Sequence, residues 1–288
     1  MGKGTEELMK KLYVTDLDGT LLKNDATLSE FSRQELEKLI KEKNIYFTVA
    51  SARGRNSIKF ILNDFPFNIP IIENNGAYIS DYITGEHRII NNIKKEICED
   101  ILDMIEEYKC KSYISSFNGK EDKLYYTDII NEGMELLRQT KLKENDKRLS
   151  KIDSFYDVVK KDKVVSFTVI NKEEVLTPLV DAVVNKYKDS LNYNYEEDQY
   201  YKGWHWFTIN AYEATKARAI ETLKKTLTDK ELELIVFGDN LNDIPMFKIG
   251  DRSVAVENAK EELKTFATEV IGNNEEDSVV KYILNNEI

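Results

Sequence analysis

From Lys11 onward, short runs of β-branched and aromatic residues alternate with segments of helical periodicity, and this alternation constrains the chain more than any other feature. It is the pattern of an α/β protein built on a mostly parallel sheet. Leu12-Tyr13-Val14-Thr15 reads as the first strand and ends at Asp16. Ser29 then stands as an N-cap before Phe31, Leu36, Leu39 and Ile40 at helical spacing, with Asn44 as a left-handed stop. Strands follow at residues 45–50, ending on Ser51, and at 69–72, running into Glu73-Asn74-Asn75-Gly76. Toward the other end the order resumes, with strands predicted at 206–209, 232–237, 253–256 and 268–271 and helices from Thr215, Leu241 and Ala259 and over 277–284.

Between these halves the periodicity is mixed. Strands at 111–117, 124–127 and 164–170 and helices at 93–108 and 173–187 describe a second, α+β domain inserted into the first. Tyr82 with Gly85, and Tyr200-Tyr201 with Gly203, mark its two connections. The expected division is therefore 1–81 with 202–288 against 82–201, and 288 residues suit two domains. The aromatics Tyr193, Tyr195, Tyr200, Tyr201 and Trp204 read as packing for the inserted sheet in preference to a ring platform, and the lysine-rich stretch 141–163 as a solvated face.

Charge and rare residues exclude several functions. With 52 acidic against 41 basic residues the net charge is −11, a poor match to nucleic acid or anionic membrane. Two histidines, His87 and His205, leave little for a His-rich metal site or a Ser-His-Asp triad. Cys98 and Cys110 have neither CxxC nor metal spacing and read as reduced. No apolar run approaches the ~18 residues that span a bilayer, and the first eleven residues lack the apolar centre of a signal peptide. The expectation is a cytoplasmic protein, a monomer or weak homo-oligomer.

The chemistry concentrates at two strand ends. Asp16-Leu17-Asp18-Gly19-Thr20 places two carboxylates two residues apart at the C-terminal end of the first strand, where open parallel sheets bind ligands. Such carboxylates repel unless a divalent cation or a proton-transfer role compensates them. Gly238-Asp239-Asn240-Leu241-Asn242-Asp243 follows a second apolar strand, with Asp239 and Asp243 facing the same way. Taken singly, these are also what a surface turn and a polar helix cap look like. Together, four aspartates with almost no histidine describe a hard-oxygen site suited to Mg²⁺.

The two motifs resemble those of the haloacid dehalogenase-like superfamily, and their spacing most resembles Cof-type phosphatases with a subclass IIB cap. The first motif is Asp16 to Thr20 and the fourth Gly238 to Asp243. The second is Ser51-Ala52-Arg53 and the third Thr215-Lys216-Ala217, with Ala52 and Ala217 standing where the family usually has Gly. Asn75-Gly76-Ala77 and Ala255-Val256-Glu257-Asn258-Ala259 supply further family-like context. The stretch from Asp16 to Ser51 has room only for a flap, one helix and one strand. That from Ser51 to Lys216 is far longer, and an insertion between the second and third motifs implies, by the resemblance, a C2-type cap.

The resemblance implies a Rossmann-like parallel-sheet core with an inserted α+β cap domain. It also implies Mg²⁺-dependent hydrolysis of a small phosphorylated metabolite. Asp16 would be the nucleophile and Asp18 the acid and base. Ser51 and Lys216 would hold the phosphoryl group with help from Leu17, Gly19, Thr20, Ala52, Arg53 and Asn242. Asp16, Asp18, Asp239 and Asp243 would serve the metal. A phosphomutase of the same fold, or a non-catalytic phosphometabolite-binding protein, are the alternatives.

Overall fold

The computed structural model describes residues 9–43, 45–198, 200–229 and 231–287. Its elements run β1 (Lys10–Thr15), α1 (Glu30–Glu42), β2 (Tyr46–Val49), α2 (Arg55–Leu62), β3 (Ile71–Glu73), β4 (Tyr78–Ser80) and β5 (His87–Ile90). Next come α3 (Lys95–Glu107), β6 (Ser112–Phe117), β7 (Asp122–Tyr126), α4 (Glu132–Lys143), β8 (Leu149–Lys151), α5 (Tyr156–Lys161), β9 (Lys163–Asn171), α6 (Glu173–Tyr187), β10 (Leu191–Glu197) and β11 (His205–Ala211). The chain closes with α7 (Lys216–Thr226), β12 (Leu232–Gly238), α8 (Ile244–Phe247), β13 (Arg252–Ala255), α9 (Glu261–Lys264), β14 (Glu269–Val270) and α10 (Ser278–Glu287). Two compact units result, Met1–Arg88 with Lys216–Ile288, and Ile89–Thr215.

The first unit carries a parallel sheet in the order β14-β13-β12-β1-β2, which an Ala50–Ile72 bridge extends to β3. Leu12, Tyr13 and Val14 of β1 are wholly buried, as are Ile235, Val236 and Phe237 of β12. These strands read as continuous apolar runs because both faces of a parallel sheet are covered. The register sets Thr15 beside Phe237 on one side and Val49 on the other, so Asp16, Gly238 and Ala50 leave the sheet side by side. Ser29 caps α1 as expected, its Oγ accepting from Ser32 N at 3.0 Å. The expected stop at Asn44 lies outside the described residues.

The second unit is a six-stranded sheet, β10-β11-β9-β6-β7-β8, antiparallel except where β7 and β8 run parallel. Tyr113, Leu124, Met134, Leu137, Ile170 and Trp204 form a buried cluster between sheet and α4, with Tyr201 packed against it. Trp204 is thus a core residue, and the half-buried Tyr201 packs at the edge of that core. Lys141 departs from the solvated face expected of its stretch: its side chain is largely buried against Glu144 at 2.9 Å, and burial lowers its pKa.

One strand departs from the sequence reading. The run at 206–209 was expected to resume the parallel core, but β11 pairs antiparallel with both β9 and β10 and belongs to the second unit. The division consequently falls at 88/89 and 215/216, later at both ends than 81/82 and 201/202. The physical reason is that a run whose burial alternates over residues 206–209 fits either sheet, and here its partners are the antiparallel neighbours β9 and β10. Cys98 and Cys110 are free and buried. Among the described residues, no helix is long and apolar enough to cross a membrane.

Candidate active site

Asp16 follows β1 directly and is tied to β12 by its N–H, which donates to Phe237 O at 3.0 Å. The chain then turns sharply through Leu17–Leu21, closed by Leu22 N donating to Leu17 O at 2.8 Å. Gly19 makes that turn possible. Its φ is +73°, and a Cβ there would lie 2.4 Å from Asp239 Oδ2, so only glycine admits both the backbone angle and the approach of the second carboxylate loop. Thr20 spends its hydroxyl on the same group, donating to Asp239 Oδ1 at 3.0 Å. Leu17 is buried beneath the turn.

The β12 loop is organised from within. Asp243 Oδ2 accepts from the N–H groups of Asp239 at 3.0 Å and Asn240 at 3.1 Å, a cap on the short turn Leu241–Asp243. The capping reading of this motif is therefore physically real, but it uses only one oxygen. The other, Oδ1, accepts from Lys216 Nζ at 2.6 Å, and Lys216 reaches Asp16 Oδ1 at 2.9 Å. Lys216 opens α7, where the helix dipole opposes a cation. Two carboxylates compensate, and its side chain is 1% exposed.

Asp16, Asp239 and Asp243 each bring an oxygen within 4.8 Å of the others. One ammonium cannot neutralise three acids at this depth. Burial pushes Asp16 up to about 7, with Lys216 pulling it back and Asp243 adding to the rise. Burial likewise raises Asp239 to about 8, with Asp16 and Asp243 next in effect. Burial disfavours the Lys216 charge, yet the two aspartates more than reverse this and raise its pKa. An all-oxygen set with surplus negative charge is the chemistry a hard divalent cation fits.

The remaining expected residues divide. Ser51 is 1% exposed at the end of β2, and its Oγ accepts from Arg53 N at 3.1 Å in place of capping α2, whose N-cap is Gly54. Ala52 is exposed. Arg53 grips Asp18 with both arms of its guanidinium, Nε to Oδ2 and Nη2 to Oδ1, each at 2.7 Å. Asn242 donates its Nδ2 to Asn75 Oδ1 at 3.3 Å. Two residues given no role in the sequence reading also touch the site's framework. Asn258 donates to Gly19 O at 2.7 Å, and Asn75 N donates to Ser51 O at 2.9 Å. A signal for Asn75 was present, since an Asn-Asn-Gly run after a core strand marks a left-handed turn. Asn258 stood in the stretch Ala255–Ala259 noted as family-like context, which gave it no role of its own.

The family model for haloacid dehalogenase-like hydrolase matches residues 13–283. The 5-amino-6-(5-phospho-D-ribitylamino)uracil phosphatase YwtE of Bacillus subtilis (strain 168) is 27% identical over 292 residues, covering 95% of this chain and 96% of that protein. A haloacid dehalogenase-like hydrolase from Bacteroides thetaiotaomicron shares the fold with a TM-score of 0.76 at 21% identity, over 96% of this chain and 99% of the other. The HAD subclass IIB sugar phosphatase BT4131 does so with a TM-score of 0.73 at 19% identity, over 97% and 100%. With its motifs at the ends of β1, β2 and β12 and at the start of α7, and with a match over nearly its whole length, the chain belongs to the haloacid dehalogenase-like hydrolases.

Proposed function

We propose that this protein is a Mg²⁺-dependent phosphatase of small phosphate monoesters, sugar phosphates or similar phosphometabolites, acting through a phosphorylated Asp16. The observation that carries the reading is the contrast between two aspartates of one turn. Asp16 is buried against the Lys216 ammonium, whereas Asp18 is half-exposed and held by Arg53. Two carboxyls in such different surroundings suit two different tasks.

In the first half-reaction a carboxylate oxygen of Asp16 attacks phosphorus in line. The bond to the leaving oxygen breaks, and Asp18 delivers a proton to that oxygen. The Asp18–Arg53 pair must part before this proton can be carried. In the second half-reaction Asp18, now ionised, takes a proton from water, whose oxygen attacks phosphorus and releases inorganic phosphate with Asp16 restored. Lys216 and the Ser51 hydroxyl hold phosphoryl oxygens, and the Leu17–Thr20 turn and Asn242 loop bound the same group. Asp16, Asp239 and the Asp18 carbonyl would hold Mg²⁺, with Asp243 orienting the set. The ion would offset the charge between an incoming dianion and a cluster of acids.

The phosphoribityl substrate in the name of the B. subtilis relative, and the sugar phosphatase title of a structural neighbour, support phosphorylated polyols and sugars as the class to test. The net charge of −11 and the buried free thiols support a cytoplasmic protein acting on metabolites and not on nucleic acid. The test is phosphate release from p-nitrophenyl phosphate and a panel of sugar, polyol and nucleotide phosphates with Mg²⁺. Asp16→Asn is expected to abolish turnover in a folded protein. Asp18→Asn is expected to form some phosphoenzyme from the activated ester and to lose it slowly. Near wild-type turnover in either variant contradicts the assignment.

A further inference from the structure

Glu73 ends β3 with no exposed surface, a buried carboxylic side chain to which the proposed chemistry gives no task. Burying such a group is expensive unless hydrogen-bond donors surround it. Two donors are in place. The N–H of Arg55, the first residue of α2, donates to Oε2, and the Ser80 hydroxyl donates to Oε1 at 2.6 Å. Ser80 has one hydrogen to give, so in its 2.7 Å contact with His87 Nδ1 the nitrogen is the donor. Tyr78 stacks on the His87 ring at a centroid distance of 4.2 Å and fixes its plane. Side chains from β4 and β5 therefore hold one oxygen of Glu73, and the other is left to hold the start of a helix.

That helix start needs an acceptor from elsewhere. α2 opens after Gly54, which has no side chain to take the first N–H groups, and Glu73 serves as the cap from a neighbouring strand. The stretch that leads into α2 carries the expected phosphoryl donor. Ser51 is fixed at its own backbone, its N–H donating to Ile72 O at 3.0 Å and its carbonyl accepting from Asn75 N at 2.9 Å. Its hydroxyl is aimed by Arg53 N, which donates to Oγ at 3.1 Å and leaves the hydroxyl hydrogen for another acceptor. The direction of Arg53 N depends on the course of residues 52–54. That course is tied at its middle, where Arg53 O accepts from Asn74 N at 3.1 Å, and Glu73 anchors its far end at Arg55.

We propose that Glu73 is a positioning residue for the phosphoryl site: by holding the Arg55 N–H it fixes the loop that aims the Ser51 hydroxyl, and Ser80 with His87 keeps its carboxyl in place. The assignment rests on the phosphatase reading above, in which Ser51 holds a phosphoryl oxygen, and adds to it a residue that acts without touching substrate or metal. It also accounts for an acidic residue at the end of an otherwise apolar strand. An apolar side chain there would bury as readily as Ile71 and Ile72 do, but would leave the Arg55 N–H without its acceptor.

The test approaches the contact from both sides. Glu73→Met fills similar space and offers no acceptor. Glu73→Gln keeps an oxygen for the Arg55 N–H, while its N–H₂ can donate to Ser80 Oγ, which then donates to His87 Nδ1 in the other tautomer. The dissociation constant of inorganic phosphate from the full-length protein with Mg²⁺ is measured by calorimetry, with thermal midpoint and Mg²⁺ affinity alongside. The expected result is phosphate binding weakened at least about fivefold in Glu73→Met and within about twofold of wild type in Glu73→Gln, with Mg²⁺ affinity unchanged in both. The second arm removes the donor. Proline is accepted at the first position of a helix and abolishes the N–H, so Arg55→Pro is expected to bind phosphate at least about fivefold more weakly than Arg55→Ala, which loses the same side chain and keeps the N–H. Binding within about twofold of wild type in folded Glu73→Met, or equal binding in the two Arg55 variants, overturns the assignment. So does a Gln variant as impaired as the Met variant, which would place the effect in charge and not in the hydrogen bond. Mg²⁺ affinity falling in step with phosphate affinity also overturns it, since that marks a general loosening of the site. If Glu73→Met does not fold, the Arg55 pair decides alone. A wild-type protein that binds phosphate and turns over no ester would fail the phosphatase reading, while these ratios would still decide the part played by Glu73.

Discussion

At the scale of single residues, the site is a problem of uncompensated charge, and its pH dependence follows. Asp16 and Asp239 have folded values of about 7 and about 8 against an ordinary 3.8. Because folded values are raised, the protons they hold stabilise the ion-free fold fully below about pH 4, and that contribution is lost as pH rises through 7 to 8. Under the proposed function, Mg²⁺ held here would require both groups ionised and so would compete with those protons. The gain in thermal midpoint on adding Mg²⁺ to protein stripped with EDTA is therefore expected to be larger near pH 8.5 than near pH 6. Melting curves with and without the ion at both pH values measure it. Equal gains would mean that Mg²⁺ does not engage these two carboxylates.

At the scale of elements, local chemistry decides what a short stretch can pack against. Gly133 lies in the first turn of α4, where a Cβ would fall 2.5 Å from the Trp204 ring and 2.8 Å from Ile170 Cγ2. Gly133→Ala must push α4 off the sheet, and a loss of about 1–3 kcal/mol is expected, read as a lower denaturant midpoint at unchanged m-value. A midpoint equal to wild type would show that the cluster can repack around the methyl group. The same helix illustrates what was legible in sequence. Residues 173–187 and the strands that end in Asp16 and before Asp239 were readable because periodicity and turn chemistry are local. The place of β11 was not, because an alternating run near Trp206 fits a core strand as well as one paired with β9 and β10, and pairing is fixed by partners far along the chain. At the site, their places at two strand ends gave Asp16 and Asp239 their shared location, and the family resemblance added Lys216. Neither could give the Arg53–Asp18 pair or the Asn242–Asn75 contact, which depend on rotamers across three loops.

At the scale of the whole molecule, one fold interrupts another, and the division of residues between them argues for a division of labour. Every proposed catalytic or metal-holding residue, from Asp16 to Asp243, lies in the first unit, whose parallel sheet draws no strand from the second. The phosphoryl group is the same in all monoesters, so residues that hold it cannot distinguish one ester from another. Discrimination has to come from contacts with the leaving group, and differences of about 1–3 kcal/mol there correspond to selectivity of about 10- to 200-fold. None of the phosphoryl-holding residues belongs to the second unit, which has its own sheet and buried cluster, and the prediction is that this unit makes the selection. Replacing residues 91–214 by a short linker is therefore expected to erase preference among natural esters. Weak Mg²⁺-dependent release from p-nitrophenyl phosphate should remain, since that leaving group needs little help from Asp18. The decisive quantity is the ratio of kcat/KM for a hexose phosphate and a pentitol phosphate, in the intact and the shortened protein. Exchanging the same segment for that of the B. subtilis relative provides the second arm, in which the ratio should move toward the donor's. A ratio unchanged in both would place selectivity in the parallel-sheet unit and require residues there, beyond those that hold phosphate, to read the leaving group.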